Sequence, residues 1–407
     1  MENSSKQNRI KALGLALVVI GVPVGMYLNY LTGVTYWSNI IMLLMIILLF
    51  YKERFTLKIG TGFRLLFFYQ LYMTAYCIMS SDFQAIYLFY HLYILVLIVA
   101  LSIQKDKQFV FDSLRWIFYL SIPLTLLGLF LTLNGLVVGD LAWQLRHENE
   151  DYALDPFNVG IAALNSFFAG LCLTNKRRKE KVIFIIMTVL NIYLIYLCGK
   201  RTPMVILIIG LLYYTYLNFK LKKGEVIVFA IIAVITAFTL SAFVDFIEIG
   251  TYFENIVNGV KNIMGDTSVS DRTGSAIIRY QTRLQAYEYI EKNFYLHNYL
   301  FGAGYMTLGR QFDNPVLQAF LDMGIIGVLG YVYLVIVFPV VTMLKKRNNI
   351  AVFFILVSLY NVFSCFSSGY PYFWSKYTPI CLLIFSLSIT LNHGQKRNLN
   401  HLCSPRI

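Results

Sequence analysis

The chain has 407 residues, of which 58% are hydrophobic and only 14% are charged, and its formal net charge is +13. A soluble domain usually carries about 25% charged residues, so this composition, with a mean hydropathy of +0.64, excludes an ordinary soluble protein. Apolar segments long enough to cross a bilayer recur along the sequence and show no barrel-type alternation, which predicts an all-α polytopic membrane protein. The basic residues cluster between the apolar segments, a pattern typical of cytoplasmic loops and anionic lipid contacts rather than of nucleic-acid binding.

We predict about twelve transmembrane helices from the apolar segments. They lie at about 12–31, 37–51, 62–79, 86–103, 112–133, 156–174, 182–198, 203–219, 226–244, 316–343, 350–366 and 376–392. With this number of spans and both termini in the cytoplasm, the strong Lys/Arg clusters between spans all fall on the cytoplasmic side.

Three regions follow from this topology. Residues 1–244 hold the first nine spans, with a short outer loop at 134–155. Residues 245–314 form a large, partly helical extracytoplasmic loop, and residues 315–407 hold the last three spans and a cytoplasmic tail. Long loops without structure are uncommon in proteins unless they are functional, so we expect any chemistry to involve the large loop.

The sequence predicts neither a metal site nor a disulfide framework. Five cysteines lie in or beside apolar segments and one lies in the tail, so we interpret them as small apolar residues; they are Cys77, Cys172, Cys198, Cys365, Cys381 and Cys403. The acidic group Glu148-Asn149-Glu150-Asp151 offers carboxylates for a divalent cation, but without a recognisable ligand spacing it is better interpreted as a solvated loop.

Several basic residues fall on the predicted outer side of the membrane, where the topological bias disfavours them. They are Arg146, Lys200, Arg201, Arg272, Arg279, Arg283 and Arg310. An arginine binds phosphate well because its planar fork donates two parallel hydrogen bonds and keeps its charge. We therefore consider anion binding as a reason for their position.

Arg279 and Arg283 lie one turn apart in a predicted helix over Ser275 to Lys292. A like-charge pair at this spacing costs roughly 0.2–0.5 kcal/mol, and an anion bound between the two side chains would reverse the sign. A solvated helix face or contact with anionic headgroups is the alternative.

Arg201 lies where the seventh predicted span ends and the eighth begins, next to Lys200 and just before Pro203. The free N–H groups of a helix N-terminus attract anions, so this pair is a candidate for holding a diphosphate. Snorkelling of the two side chains toward lipid headgroups is the alternative.

Gly302-Ala303-Gly304 predicts a tight turn. It follows no strand and lacks a third glycine in register, which excludes a dinucleotide-binding loop.

Asp313 and Asn314 immediately precede the tenth predicted span, which begins near Pro315. At this position a carboxylate can accept a hydroxyl proton, and either residue can cap the helix. Asp322 lies about two turns into the same span, where a carboxylate usually has a partner or a task.

Four further polar residues lie within the predicted spans: His91, Asn158, Asn165 and Asn191. We interpret them as hydrogen-bonding groups between helices rather than as ligands.

Three of these segments, in this order, resemble elements of the O-antigen ligase / Wzy-type polysaccharide polymerase superfamily. Gly199-Lys200-Arg201-Thr202 is similar to the family's Ser-Arg-Thr-type element. Arg283-Leu-Gln-Ala-Tyr287 with Gly302-Ala-Gly304 resembles its Arg-x-x-x-Trp … Gly-x-Gly segment. Asp313-Asn314-Pro-Val-Leu317, followed by Gly324-Ile-Ile-Gly327, resembles its His-Asn-x-x-Leu … Gly-Ile-Ile-Gly element. The resemblance covers roughly residues 182–341, and the predicted topology also fits.

Two positions depart from the family pattern. Tyr287 stands where the family often has Trp, and Asp313 stands where the ligases commonly have the His that serves as their presumed base. The second departure counts against ligation to lipid A and favours a polymerase.

The resemblance implies an enzyme of the bacterial plasma membrane that transfers a glycan from undecaprenyl pyrophosphate to a sugar hydroxyl of another lipid-linked repeat unit. It implies no cofactor, and its partners are the lipid-linked oligosaccharide, membrane lipids, and flippase and chain-length regulator proteins. Arg201 and Arg283 would hold the diphosphate with Arg279 in support, and Asp313 would be the general base. The substrate contacts would be Arg310, Lys200, Asn314 and Arg146.

Three other functions remain open from the sequence, one of them a non-catalytic membrane scaffold. A related transferase would attach finished polymer to a different acceptor. A flippase or transporter of lipid-linked oligosaccharide belongs to another class, which usually shows internal repeats, broken helices and polar sites near the membrane midplane.

Overall fold

In the computed structural model, the regular elements of the described residues are all helical, which confirms the all-α expectation. The structure describes residues 2–34, 36–53, 58–80, 85–104, 109–134, 156–173, 176–198, 201–219, 275–308, 314–344, 348–364 and 370–402. We number the helices in chain order: α1 Glu2–Thr32, α2 Trp37–Phe50, α3 Arg64–Ile78, α4 Ala85–Ser102, α5 Phe109–Leu133, α6 Pro156–Cys172, α7 Arg178–Leu197, α8 Arg201–Phe219, α9 Ser275–Asn293, α10 Leu296–Phe301, α11 Pro315–Tyr331, α12 Phe338–Met343, α13 Asn349–Ser364 and α14 Trp374–Leu402. A π-helical segment, Val332–Val337, joins α11 to α12.

The predicted apolar segments coincide with helices wherever the structure describes them. The ninth segment, 226–244, lies outside the described residues. Within the described ranges, five helices are long and apolar enough to cross a membrane: Lys6–Thr32, Ala85–Ser102, Phe109–Leu133, Arg178–Leu197 and Pro315–Met343. Shorter apolar helices accompany them at Trp37–Phe50, Asn158–Cys172, Thr202–Thr215 and Asn349–Phe363. These helices indicate a membrane-embedded protein.

The apolar helices named above carry hydrophobic side chains on all sides over most of their length, and packing decides which face is buried. In α2, for example, Met42, Met45 and Leu49 are buried in the main core, whereas Leu43 and Ile47 are exposed. Exposed aliphatic side chains on a helix of this composition are expected where the helix faces lipid rather than water.

Polar side chains inside the core pair with one another across helices. Thr125 of α5 donates to the Asn191 side chain of α7 at 2.8 Å, and the amide of Asn191 donates to Ser166 of α6 at 3.0 Å. Buried polar groups must find partners where no water is present. The interpretation of Asn191 as a hydrogen-bonding group between helices is confirmed.

Side-chain contacts join helix ends that the Lys/Arg clusters assign to one side of the membrane. The pairs are Lys11 with Glu53, Gln104 with the Leu49 carbonyl (3.0 Å), Asn349 with the Cys172 carbonyl (3.4 Å) and Tyr213 with the Met343 carbonyl (3.1 Å). These contacts agree with the up-and-down order of the predicted spans. The opposite end of the bundle carries α9, α10 and residues 302–308, and we call it the loop end.

Candidate functional site

The Gly302–Gly304 turn docks on α11 by main-chain hydrogen bonds. The N–H of Ala303 donates to the Leu321 carbonyl at 2.8 Å, and the N–H of Gly304 donates to the Asp322 carbonyl at 3.1 Å. The chain bends at Ala303, and the hydrogen-bonded turn lies just after the glycines, at residues 305–308. The partner of the bend is a helix that begins more than ten residues later in the chain.

Gly324 makes this docking possible because it breaks α11 from within. Its φ of 65° and ψ of −162° are non-helical, which interrupts the helical hydrogen-bond pattern and leaves carbonyls of the preceding turn to accept from residues 303 and 304. A Cβ at Gly324 would overlap the backbone of Leu300 and Phe301, and a Cβ at Gly302 (φ 80°) would overlap the backbone of Asp322 and Met323. Both positions therefore require glycine, for close approach as well as for conformation.

One face of α3 fastens the turn and α11 together. The donors share a helical spacing of three to four residues, and all of them reach main-chain carbonyls: Tyr69 to Gly327 (2.9 Å), Tyr72 to Met323 (3.2 Å), Tyr76 to Phe301, and Ser80, just beyond the helix, to Tyr305 (3.2 Å). The loop end is thus built from α3, α11 and the turn as one packed unit.

Asp322 lies at the centre of this unit and is fully buried. Its carboxylate accepts hydrogen bonds from the Tyr372 hydroxyl and, at 3.2 Å, from the N–H of Thr307. The Met306 N–H and the Gln318 side chain also donate to it. The expectation that this carboxylate has a partner is confirmed, and its partners come from three separate segments of the chain.

Two stacked tyrosines extend the cluster toward α4. The rings of Tyr305 and Tyr372 lie 4.0 Å apart between centroids, and the Tyr305 hydroxyl lies 2.9 Å from Nε2 of His91. His91 Nδ1 lies 3.3 Å from Oε1 of Gln70. Because that oxygen can only accept, Nδ1 donates to it and Nε2 accepts from Tyr305. His91 is therefore a hydrogen-bonding group between helices, as predicted.

Both tyrosines are held in the neutral form. Burial raises the pKa of Tyr372 well above its ordinary value, and the Asp322 carboxylate acts in the same direction. Burial is also the main reason that the pKa of Tyr305 is raised. The two hydroxyls therefore remain hydrogen-bond donors at every physiological pH.

The two arginines of the large loop lie on α9, whose observed bounds match the predicted helix to within one residue. Arg279 precedes Arg283 by one turn along this helix, and the Arg283 side chain is half-buried. Ala286 of α9 and Leu321 of α11 are both fully buried in a small apolar cluster; partly buried residues around them are Tyr289, Ile290, Phe294, Leu308 and Leu317. The arginine helix thus packs on the same part of α11 as the turn.

Asn314 caps α11. Its Oδ1 accepts from the N–H of Leu317 at 3.1 Å, and Pro315 occupies the first turn. The cap interpretation is confirmed for Asn314, while Asp313 lies outside the described residues.

The remaining candidate residues are only partly described. Arg201 is the first residue of α8, so its main chain stands at a helix N-terminus as predicted, although the helix begins two residues earlier than Pro203. Three further candidates lie outside the described residues: Arg146, Lys200 and Arg310.

Sequence reasoning missed the tyrosines that hold the loop end together. Tyr69, Tyr72 and Tyr76 repeat at helical spacing within an apolar segment, and this regular stripe is the signal that could have revealed a polar face of α3. Tyr372 follows a proline in a short turn and carries no comparable signal.

The described cysteines and carboxylates show no metal site. Cys77, Cys172, Cys198 and Cys381 are buried, in agreement with their interpretation as small apolar residues. Across the described ranges, no group of three His, Cys, Asp or Glu side chains is arranged to hold a metal ion.

No family model matches the sequence, and neither a curated protein nor a solved structure matches it. The assignment of a function therefore depends on the sequence motifs and on the geometry of the loop end.

Proposed function

We propose that the chain is a polysaccharide repeat-unit polymerase of the bacterial plasma membrane. In this proposal about twelve helices span the membrane, both termini are cytoplasmic, and the loop end faces outward. The enzyme transfers a glycan from undecaprenyl pyrophosphate to a sugar hydroxyl of another lipid-linked repeat unit.

The observation that carries the proposal is the docking of the Gly302–Gly304 turn on α11 at Gly324. These two positions belong to separate segments of the family resemblance, and nothing in their sequence separation requires them to meet. Their contact brings the arginine helix α9 and the Asn314 end of α11 into one unit. A catalytic site built from both segments requires that the two segments pack together in this way.

The proposed reaction breaks the bond between the anomeric carbon of the donor glycan and its diphosphate oxygen. The acceptor hydroxyl oxygen forms the new bond to that carbon, its proton passes to the Asp313 carboxylate, and lipid diphosphate leaves. Attack from the side opposite the diphosphate inverts the anomeric carbon.

Charge that develops on the departing diphosphate needs stabilisation, which preorganised cationic groups can supply. In the proposal Arg201 and Arg283 bind the diphosphate, with Arg279 and Lys200 in support. Arg310, Asn314 and Arg146 contact the glycans. Because the lipid diphosphate already activates the donor sugar, the reaction needs no nucleotide.

A lipid-linked oligosaccharide transporter is the second candidate, and one observation favours it. α11 is broken at Gly324 and continues into a π-helical segment, and the buried polar residues Gln70, His91 and Asp322 lie around the break. Broken helices with buried polar groups are common in transporters.

An assay with purified protein in nanodiscs distinguishes the two candidate functions. The protein is supplied with the lipid-diphosphate-linked repeat unit of the producing cells. Without nucleotide sugar, a polymerase yields a ladder of products on a gel. Folded protein that yields no ladder, yet moves the same lipid across liposome bilayers, would overturn the polymerase in favour of the transporter. Product on a different acceptor would indicate the ligase-like transferase.

The proposed base has its own test in the same assay. Asp313→Asn should reduce the rate of ladder formation at least about a hundredfold, since general-base catalysis contributes at least this factor. Glu291→Gln is the matched control because Glu291 is an exposed carboxylate of α9. Unchanged turnover of Asp313→Asn would remove the base role.

A further inference from the structure

Helix α10 exposes large apolar and aromatic side chains over most of its length. Leu296 is 82% exposed and Tyr295, which precedes the helix, is 71% exposed. Tyr299, Leu300 and Phe301 are also exposed, and this stretch of sequence contains no Lys, Arg, Asp or Glu. We call these five residues the α10 patch.

The preceding helix has a different surface. Most exposed residues of α9 are polar and suited to water: Gln281, Gln285, Glu288, Glu291, Lys292 and Asn293. Leu284 and Tyr287 are the large apolar side chains exposed among them. A surface patch of large apolar side chains without charges is unusual in contact with water and marks an interaction site. The change from α9 to α10 therefore indicates a change of environment within a few residues.

The length of the following helical segment places this change at the edge of the bilayer. Gly324 to Met343 is about twenty residues, or about 30 Å at 1.5 Å per residue, which matches the thickness of the hydrocarbon core. The basic cluster that begins at Lys345 follows this segment. Gly324 then lies at the opposite boundary of the hydrocarbon core, and α10 packs directly against it through Leu300.

The pattern of exposure along α11 agrees with this placement. After the break, Ile325, Ile326 and Leu329 are exposed. Before it, from Pro315 to Met323, α11 carries no exposed large apolar side chain. Exposure of aliphatic residues thus starts at the depth of the break.

The α10 patch is continuous with other exposed apolar residues at the same level. Tyr76 near the end of α3 donates to the Phe301 carbonyl, and Ile78, the last residue of α3, and Met79, which follows it, are exposed. α10 therefore lies between the exposed apolar ends of α3 and the second half of α11.

We propose that α10 is an interfacial helix seated in the leaflet at the loop end, with bilayer lipid as the occupant of the α10 patch. The aliphatic side chains enter the acyl-chain boundary, and Tyr295 and Tyr299 lie at headgroup level, where tyrosine is favoured. This seating does not depend on the polymerase proposal. If both hold, α9 leaves the membrane surface directly beside the lipid headgroups, where a lipid diphosphate would lie.

Fluorescence quenching in nanodiscs tests the seating. A fluorescent amino acid is inserted at position 296 by stop-codon suppression, and at position 291 of α9 as the matched exposed control. We expect lipids brominated on their acyl chains to lower the emission from position 296 about twofold and iodide to have little effect on it. Position 291 should show the reverse.

Two outcomes would overturn the proposal. Quenching of position 296 by iodide and not by brominated lipid would place the α10 patch in water. Protection from both quenchers would mean that protein covers it, either a second copy of the chain or another partner. Because Leu296 is so exposed, the insertion removes little packing, and the same measurement at Tyr299 provides a second, independent position.

Discussion

Residues 302–308, which begin with the Gly302–Gly304 turn, and helix α9 both pack on α11, but different kinds of interaction hold them there. The turn is fixed by main-chain hydrogen bonds, by the tyrosines of α3 and by the buried Asp322. α9 is mostly polar and largely exposed, and it packs through the buried Ala286 together with the partly buried Tyr289 and Ile290. Under the proposed function, the turn would set the position of the site and α9 would supply its charge.

This comparison predicts that changes in the turn or in the break of α11 alter folding and activity together. Gly324→Ala should have the largest effect. Alanine at φ 65° and ψ −162° occupies a region that is almost restricted to glycine, at a cost on the order of 1–3 kcal/mol, and its Cβ would also overlap the backbone of Leu300 and Phe301. We expect a markedly lower unfolding temperature, measured by dye labelling of the buried cysteines, and no detectable ladder.

Gly60→Ala is the matched control for Gly324→Ala. Gly60 has an ordinary φ of −61°, and an added Cβ would meet its nearest neighbour, Phe63, at 3.6 Å. The unfolding temperature of Gly60→Ala should stay close to that of the wild type. Equal stability of Gly324→Ala and Gly60→Ala would contradict the docking of the turn on α11.

Substitutions at the buried Asp322 carboxylate and its partner Tyr372 test the same comparison. Tyr372→Phe removes the hydrogen bond between these side chains. Asp322→Asn keeps an amide oxygen that can accept it but removes the charge and one of the two acceptor oxygens. Each should destabilise the protein by about 2 kcal/mol, since hydrogen bonds to charged groups contribute about 1.5–3 kcal/mol. The double variant should lose less than the sum of the two. Additive losses in thermal unfolding would show that the two groups act separately.

Changes on α9 should affect activity and leave folding nearly unchanged. Arg283→Ala should lower the rate of chain extension by about 10²–10³, the usual effect of removing one charge-stabilising donor from an active site. The rate of chain extension by Arg283→Lys should lie between those of the wild type and Arg283→Ala, because lysine keeps the charge and loses the two-pronged donor geometry. Gln285→Ala, an exposed change on the same helix, is the control.

The result that would break the comparison is a stability loss in Arg283→Ala as large as that of Gly324→Ala. Full extension by well-folded Arg283→Ala would remove the diphosphate role of this residue.

The smallest expected effect is at the start of α11. Asn314→Ala should cost about 1 kcal/mol, the usual contribution of an N-cap, while Asn314→Asp should be close to the wild type. Thermal unfolding measures both. A loss of chain extension in Asn314→Ala that greatly exceeds its loss of stability would assign Asn314 a role in the site beyond the cap.

The sequence was sufficient for features that depend on local pattern. Hydrophobic length located the apolar helices, the Asn-Pro pair marked the start of α11, and the α9 helix was predicted to within one residue. The break at Gly324 was not predicted, because a glycine in an apolar segment has the same local pattern whether the helix continues or breaks.

The partners of Asp322 could not be predicted for a related reason. Tyr372 is fifty residues away in sequence, and the contact exists only because α11 and the turn before α14 meet at the loop end. Likewise, the tyrosine stripe of α3 is visible in the sequence, but its main-chain acceptors depend on the path of the turn.

The central claim is that the leaving group is a lipid diphosphate, and the most direct test is the stoichiometry of its release. Purified protein in nanodiscs is given the lipid-diphosphate-linked repeat unit without nucleotide sugar, and free lipid diphosphate and new glycosidic linkages are counted in the same samples. The account predicts one lipid diphosphate released for each linkage formed. Linkages that form without this release, or only when a nucleotide sugar is added, would contradict it.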